Sequence, residues 1–484
     1  MGDQAARRGG PGSHQVTRTD QWWLVVAAGL AVFMASVDMS IVNVALPAIE
    51  QDFGIATSTT EWVVLAYLLP LAGLALPSGR WLDDVGRRPA LVFSLAGFAL
   101  ASLAAGLAPD LTFLIGARLV QGTFGALLFS LVPALVTTAV RPQARGRAMG
   151  VITTLGPVGL ISGPGLGGLL VDAMGWPWIF FVNLPVSVLV MTAGMRLLPA
   201  GAPLRAPDRR WFTEALLLSG AVAAVLLALS FTASEGVPWM LLALLAVPLF
   251  LLWLRLPTSA ALKGLFRTPG EVGPHLALLL AATAIGAVFF ISPFFLQQEL
   301  GASPAAIGLT VLAFPAGMAL TGPVGGFLGD WWGSRRTALV GTSLFTVGLV
   351  LLLPLDTSWG LGDLAWRLFL AGCGNGLFNA PNMAMTMTHA PQPLLATTGS
   401  STNLSRTMGF ALGPALATLM WSLSAYEIAG MRGTLILAAV LSAFSVVALL
   451  RTRVPEQPVA VAGEQSDVRD HPARGRDAIR NPTN

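Results

Sequence analysis

The chain has 484 residues, of which 54% are hydrophobic and only 11% charged, and its mean hydropathy is +0.71. A soluble protein of that composition would not stay dispersed, so the water-soluble classes are excluded. The isoelectric point near 10.1 does not indicate nucleic-acid binding, because the basic residues are spread over short loops between apolar runs.

Fourteen apolar stretches follow in order, at 21–48, 60–80, 90–108, 111–135, 147–171, 178–198, 212–232, 237–256, 273–297, 304–327, 337–355, 359–385, 398–422 and 432–450. Each is long enough for a membrane-spanning helix, whereas barrel strands would be about half that length and alternate polar with apolar. With the first helix starting in the cytoplasm, the cytoplasmic segments hold Arg7, Arg8, Arg18, Arg80, Arg87, Arg88, Arg141, Arg145 and Arg147. They continue with Arg196, Arg205, Arg209, Arg210, Arg255, Lys263, Arg267, Arg335, Arg336, Arg451 and Arg453. The opposite loops carry Glu50, Asp52, Asp110, Asp172, Glu235, Glu299, Asp356 and Glu427, with Arg432 as their one clear cation. The positive-inside rule then predicts a multi-pass protein of the cytoplasmic membrane with both termini in the cytoplasm.

The polar first 20 residues do not read as a cleaved signal, and the polar tail after 450 is expected to be disordered. Cys373 is the single cysteine, so no intramolecular disulfide forms. His14, His275, His389 and His471 are too scattered for a metal site. Lys263, the only lysine, belongs to no phosphate-binding loop, which argues against ATP as energy source.

The chain repeats itself at an offset of about 250 residues. Gly79-Arg-Trp-Leu-Asp83-Asp-Val-Gly86-Arg87-Arg88 follows the second stretch, and Gly326-Phe-Leu-Gly-Asp330-Trp-Trp-Gly333-Ser-Arg335-Arg336 follows the tenth. Arg118 corresponds to Arg367, and Gly163-Pro164 to Gly413-Pro414. Both copies keep one orientation, so the repeat is parallel, as in transporters built from two six-helix bundles. The expected organisation is a tail at 1–20, a six-helix bundle at 21–198, an inserted helix pair with its loops at 199–272, a second bundle at 273–450 and a tail at 451–484.

These motifs resemble the major facilitator superfamily. The two loops are similar to its Gly-x-Leu-Ala-Asp-x-x-Gly-Arg-Arg signature, and Leu114-Ile-Gly-Ala-Arg118-Leu-Val-Gln121-Gly122 to its fourth-helix motif. Gly159-Leu-Ile-Ser-Gly163-Pro164-Gly-Leu-Gly167-Gly168 resembles the fifth-helix motif of antiporters. Val37-Asp38-Met-Ser-Ile41-Val42-Asn43-Val44-Ala45-Leu46-Pro47 and Trp176-Pro-Trp178-Ile-Phe180-Phe-Val-Asn183 are similar to segments of the fourteen-helix drug:proton antiporters, although Pro177 stands where a basic residue is frequent. The resemblance implies an all-α polytopic membrane protein with two six-helix bundles and two inserted helices. It implies export of drugs, antibiotics or other small amphipathic compounds against inward proton flow. Protons are the coupling ion, no cofactor is needed, and the partners are a small-molecule substrate and the lipid bilayer. The protein is expected to be a monomer and to bind no nucleic acid. Export of an endogenous metabolite is the alternative. A receptor would not need the duplicated loops, and an enzyme would need clustered acids, His or Cys at the membrane face.

Single residues carry this reading further. Asp38 lies roughly 15 Å below the outer end of its helix, where acids line cavities or proton paths. A structural pairing with an arginine is the competing role. Arg118 lies at a similar depth, roughly 12 Å, and any charge partner must come from another helix, since none lies three or four positions away. Its family role is proton transfer. In the loops, Gly79, Asp83, Gly86, Arg87, Arg88, Asp330, Gly333 and Arg335 are expected to gate, and Gly159, Gly163, Pro164, Gly167 and Gly168 to form a hinge or seal. Asn43, Gln121, Asn403 and Arg406 are cleft candidates. Arg367 has Asp363 four residues before it and reads as a local ion pair. Glu61 reads as part of a Ser58-Thr-Thr-Glu61 capping box. Met34, Phe124, Phe289, Phe290, Phe294, Phe378 and Met383 are candidates for an adaptable apolar cavity.

Overall fold

A computed structural model describes residues 21–83, 85–141, 144–200, 202–391 and 394–452. The expected tails, apart from 451 and 452, lie outside the described residues, as does the side chain of Asp83. The described chain is helical, with no strand among its residues. The first half comprises α1 (Trp22–Phe53), α2 (Thr57–Thr60), α3 (Trp62–Gly73), α4 (Ala75–Asp83), α5 (Arg87–Gly106), α6 (Leu111–Ala139), α7 (Arg145–Met174), α8 (Trp178–Phe181) and α9 (Asn183–Leu197). Then come α10 (Arg209–Glu235), a 3-10 stretch Val237–Leu245 running into α11 (Ala246–Arg255), and the short α12 (Ala260–Arg267). The second half comprises α13 (Val272–Phe294), α14 (Pro304–Val311), α15 (Ala313–Trp332), α16 (Ser334–Val350), α17 (Leu361–His389), α18 (Leu395–Ser422) and α19 (Ile428–Leu450).

Nine helical stretches among the described residues are long and apolar enough to cross a bilayer, or ten if the second one, bent by 52° between Gly73 and Ala75, is a single span. The expected fourteen would add α7, α16, α17 and α18, which are helical but shorter in apolar length or richer in Gly, Ser, Thr and Asn. Helix starts follow side-chain chemistry: Asp110 accepts the Phe113 N–H at 2.9 Å and Asp208 the Trp211 N–H at 2.8 Å. The capping box at Ser58–Glu61 is not formed. Here α2 starts at Thr57 after an uncapped Ala56, and Glu61 occupies the break before α3.

Between membrane helices, lipid supplies no hydrophobic contrast, so close approach through small residues decides the packing. Along α7, Gly159, Gly163 and Gly167 face α1 so closely that a methyl group would overlap Phe33, Ser40 or Ile41. In the second half Gly409 and Gly413 of α18 press on α13 in the same way, against Ala282 and Gly286. The duplicated Gly-Pro segments thus make equivalent helix pairs. The two halves meet where Gly168 of α7 touches Gly308 of α14, backbone against backbone. This seam lies at the end away from the arginine loops.

The inserted helix α10 is not peripheral. It lies against α3 and α18 and is tied to the second span at three depths. Trp62 Nε1 donates to Ser230 Oγ at 2.7 Å, Gly73 abuts Ser219, and Arg80 pairs with Glu214 at 2.5 Å. Trp253 of α11 also donates to Glu214, at 3.0 Å. By contrast, the Val237–Leu245 stretch buries no residue and is the outer surface of the pair. Glu214 is buried while Arg80 is half exposed. Removing either leaves the other charge poorly compensated, so Arg80→Ala should destabilise the detergent-solubilised protein by about 1–3 kcal/mol. Glu214→Gln, which keeps an acceptor for Trp253, should have a smaller effect. Denaturation curves of the two variants check this order.

Candidate functional site

The site is assembled by five helices from residues distant in sequence. Asp38 of α1 and Arg118 of α6 form an ion pair, with Arg118 Nη1 donating to Asp38 Oδ2 at 2.6 Å. Asp38 is 0% exposed and Arg118 1%. The other carboxylate oxygen, Oδ1, accepts from Gln121 Nε2 at 2.9 Å and from Asn183 Nδ2 at 2.8 Å. Gln121 also donates to Ser102 Oγ at 2.8 Å and accepts from Arg118 Nη1 at 2.6 Å. Arg118 Nε donates to the Val63 carbonyl of α3 at 2.9 Å, and the guanidinium lies 4.3 Å from the Tyr67 ring centroid. The network therefore ties α1, α3, α5, α6 and α9 together through one acid.

Local sequence explains the placement. Arg118 and Gln121 are three residues apart and share one face of α6. Gly122 beside them lets α6 approach the Tyr67 carbonyl of α3, where a methyl would overlap. Such a pair is stable away from water only when remaining lone pairs and N–H groups are satisfied. Here both carboxylate oxygens are satisfied. A protonated Asp38 would turn one oxygen into a donor, and that oxygen would have to release a donor it now accepts.

Of the other expected residues, Asn43 is buried, with Nδ2 3.4 Å from the Met39 carbonyl of its own helix. Gln121 is inside the ion-pair network rather than lining an open cleft. Asn403 and Arg406 are half-buried on α18, and neither joins the Asp38 cluster. Gly159, Gly163 and Gly167 pack on α1, next to Asp38, while Gly165 and Gly168 face Leu312 and Gly308 of the other half. In the loops, Gly79 is half-buried and Gly86, in extended backbone, precedes α5; Arg87 and Arg88 are half-buried in its first turn. Asp330 is exposed at the end of α15, and Gly333 turns the chain at φ 99°. Arg335 donates to the Leu449 and Leu450 carbonyls at 3.2 and 2.6 Å, capping α19. Arg367 is held by Asp363 at 3.4 Å and stacks on Trp359, with no tie to α13.

Phe290, Phe294 and Phe378 are fully buried packing residues, and Phe294 lies against Trp421. Phe124 lines a cavity of about 420 Å³ with Leu74, Trp81 and Phe93, beneath the loop leading into α10. Two network members, Asn183 and Ser102, were not assigned from sequence. Asn183 had a signal, as the first polar residue of the apolar run that starts at Trp178. A serine in a helix of small residues offers none. A second polar cluster sits at the arginine-loop end. His275 Nε2 is 2.8 Å from Ser401 Oγ, and burial pushes the neighbouring Glu271 carboxyl up to about 7. Among the described residues no group of three or more metal-ligating side chains occurs.

Comparison with known proteins agrees with this architecture. The Major Facilitator Superfamily model matches residues 28–267 and 274–482. The tetracenomycin C resistance and export protein of Streptomyces glaucescens is 30% identical over 410 residues, covering 83% of this chain and 76% of that protein. The riboflavin transporter RibZ of Clostridioides difficile is 28% identical over 401 residues, covering 82% and 87%. The crystal structure of a bacterial homologue of the human lysosomal transporter Spinster, inward-facing and unoccupied, superimposes with a TM-score of 0.66 at 16% identity, covering 91% of this chain and all of that one. The matched segments, the duplicated glycine-packed helix pairs and the buried ion pair place the chain in the Major Facilitator Superfamily, as a multi-pass membrane transporter.

Proposed function

We propose that the protein is a proton-coupled antiporter that exports small amphipathic or lipophilic compounds across the cytoplasmic membrane by alternating access. The observation that carries this reading is the Asp38–Arg118 pair, sealed from solvent and saturated with donors on both carboxylate oxygens. Intramembrane acids in such settings mark proton paths. A proton reaching Asp38 from outside frees Arg118, which then loosens its hold on Val63 and on the aromatic ring of Tyr67. The second span moves with it. Release of the proton to the cytoplasm restores the pair, so two charge states of one acid correspond to two arrangements of α1, α3 and α6. The membrane potential drives each inward charge with about 2.3 kcal/mol per 100 mV.

Substrate would enter from the arginine-loop side, since the seam at Gly168 and Gly308 closes the other. The export reading is supported by the resistance protein among the relatives. The riboflavin transporter supports a second reading, movement of a metabolite by the same machinery, and the two share the Asp38 step.

Reconstituted protein under an imposed pH gradient tests the coupling. The parent should accumulate a dye or antibiotic substrate with opposing proton flux, while Asp38→Asn should fall to the level of protein-free vesicles. Accumulation at the parental rate and pH dependence by Asp38→Asn would overturn the assignment. Stability supplies a separate check. Asp38→Asn and Arg118→Gln should each destabilise by about 3–5 kcal/mol, because each strands a buried partner. The double variant should lose less than their sum by about 1–3 kcal/mol. Additive losses in denaturation would mean that the pair does not act as a unit.

A further inference from the structure

Glu61 lies at the break between α2 and α3, at the end away from the arginine loops, and its surroundings differ from those of Asp38. It is 0% exposed, and neither carboxylate oxygen has a hydrogen-bond partner among the described residues. Three elements that belong to different parts of the molecule converge on it. The hydroxyls of Ser230, from inserted α10, and Thr418, from α18 of the second half, stand beside its carboxyl. Thr418 Oγ1 is itself buried without a partner, while Ser230 Oγ already accepts from Trp62. Tyr426 closes the cluster from the turn before α19, beside Ser58 of α2. That turn holds Ala425 and Tyr426 at φ 54° and 65°, a left-handed backbone that non-glycine residues adopt at a penalty. A strained turn thus presents a phenol to the first half across the seam.

No cation serves this carboxyl. The charged groups on the packed elements are Asp38, Glu50 and Asp52 of α1, Arg118 of α6, Arg209, Arg210, Glu214 and Glu235 of α10, Arg406 of α18, Glu427 before α19 and Arg432 within it. Arg209 and Arg210 lie at the far end of α10 from Ser230, and Arg432 pairs with Asp356. Arg118 is committed to Asp38, Gln121 and Val63. Glu235 is exposed beyond Ser230, and Arg406 lies three turns of α18 away from Thr418. Glu50 adds negative charge, accepting only from Thr57 at 3.0 Å. A buried carboxylate served by no cation and only by neutral hydroxyls is an unfavourable species, whereas a carboxylic acid can donate its O–H to the Thr418 hydroxyl oxygen.

We propose that Glu61 is a second proton-binding site, separate from Asp38, whose protonated form seals α3 against α18 and α10 at the end away from the arginine loops. When the seam parts, water reaches the carboxyl and the proton leaves to the side from which it came. This proton gates and is not carried across. The proposal rests on alternating access by the proposed exporter, but not on Asp38 being the coupling acid. Because the closed seam holds one more proton than the open one, low pH favours closure and rising pH opens it.

Spin labels at Thr59→Cys and Leu423→Cys, both exposed positions flanking the seam, on a Cys373→Ser background, report the gap by pulsed electron resonance. In the parent the distance distribution should shift from short to long between about pH 5 and about pH 9. Glu61→Gln, an uncharged side chain of the same shape, should stay short across that range. Thr418→Val, which removes the facing hydroxyl and leaves the acid, should displace the opening pH from that of the parent and serves where Glu61→Gln is not recovered folded; an unchanged opening pH counts against the site. A parental distance insensitive to pH, or Glu61→Gln opening as the parent does, overturns the proposal. Proton and substrate counterflow, measured on the same Glu61→Gln protein in vesicles, should be lost, since a seam that does not open cannot release substrate. Absence of counterflow in the parent would instead remove the antiport reading and leave this site standing.

Discussion

A single buried ion pair organises the first half of the molecule. Asp38 alone on α1 could not stay charged away from water, and Arg118 alone on α6 could not either; together, with amide donors from Gln121 and Asn183, they form a neutral, saturated cluster. The consequence is mechanical as well as electrostatic. The partner groups sit on α6 and α9 and reach α3 and α5 in turn, so one oxygen pair lies where five helices meet. Discrete rearrangement follows from this, because a saturated hydrogen-bond set has no slightly perturbed version: a donor is either held or released.

The glycines of α7 give that rearrangement its route. Gly159, Gly163 and Gly167 put the backbone of α7 directly on the stretch of α1 that carries Asp38, without side chains to absorb motion between them. The next residue, Gly168, puts the same helix against Gly308 of the other half. A displacement at the ion pair therefore reaches the inter-bundle seam through a stiff helix rather than through deformable side chains. The inserted α10 adds a second mechanical link. Its Glu214 grips Arg80, within the loop motif, at one end, and its Ser230 meets Trp62 and Glu61 at the other. The helix is a strut along the full length of the second span.

How much of this was legible in the sequence differs by scale. Span positions and the duplication follow from hydropathy and motif spacing, which depend on local composition alone. The deep acid and arginine could be named as candidates because charge in an apolar run is conspicuous. Their mutual contact could not, since helix facing depends on tertiary packing. Glu61 was misread for the same reason: four residues with capping-box spacing occur at a helix start, but Ala56 is the N-cap and the break falls at Glu61. The position of α10 was invisible because it matches neither repeat, and its anchoring groups, Trp62, Ser219 and Glu214, are each ordinary alone.

The duplication also explains why the buried ion pair belongs to one half. At the offset of about 250 residues Arg118 maps onto Arg367, yet α13 offers only Ala, Val, Ile and Phe where α1 carries Asp38. Deprived of an acid in the neighbouring helix, Arg367 turns to Asp363 of its own helix and to the rings of Trp359 and Trp366. An arginine satisfied within its own turn links nothing, and the second half packs instead through buried aromatics such as Phe290, Phe294 and Trp421. That asymmetry has a physical merit. With one saturated charge cluster, helices of the first half are tied to one another through polar contacts, and the aromatic-packed second half offers a counterface against which such a set can rearrange as a unit.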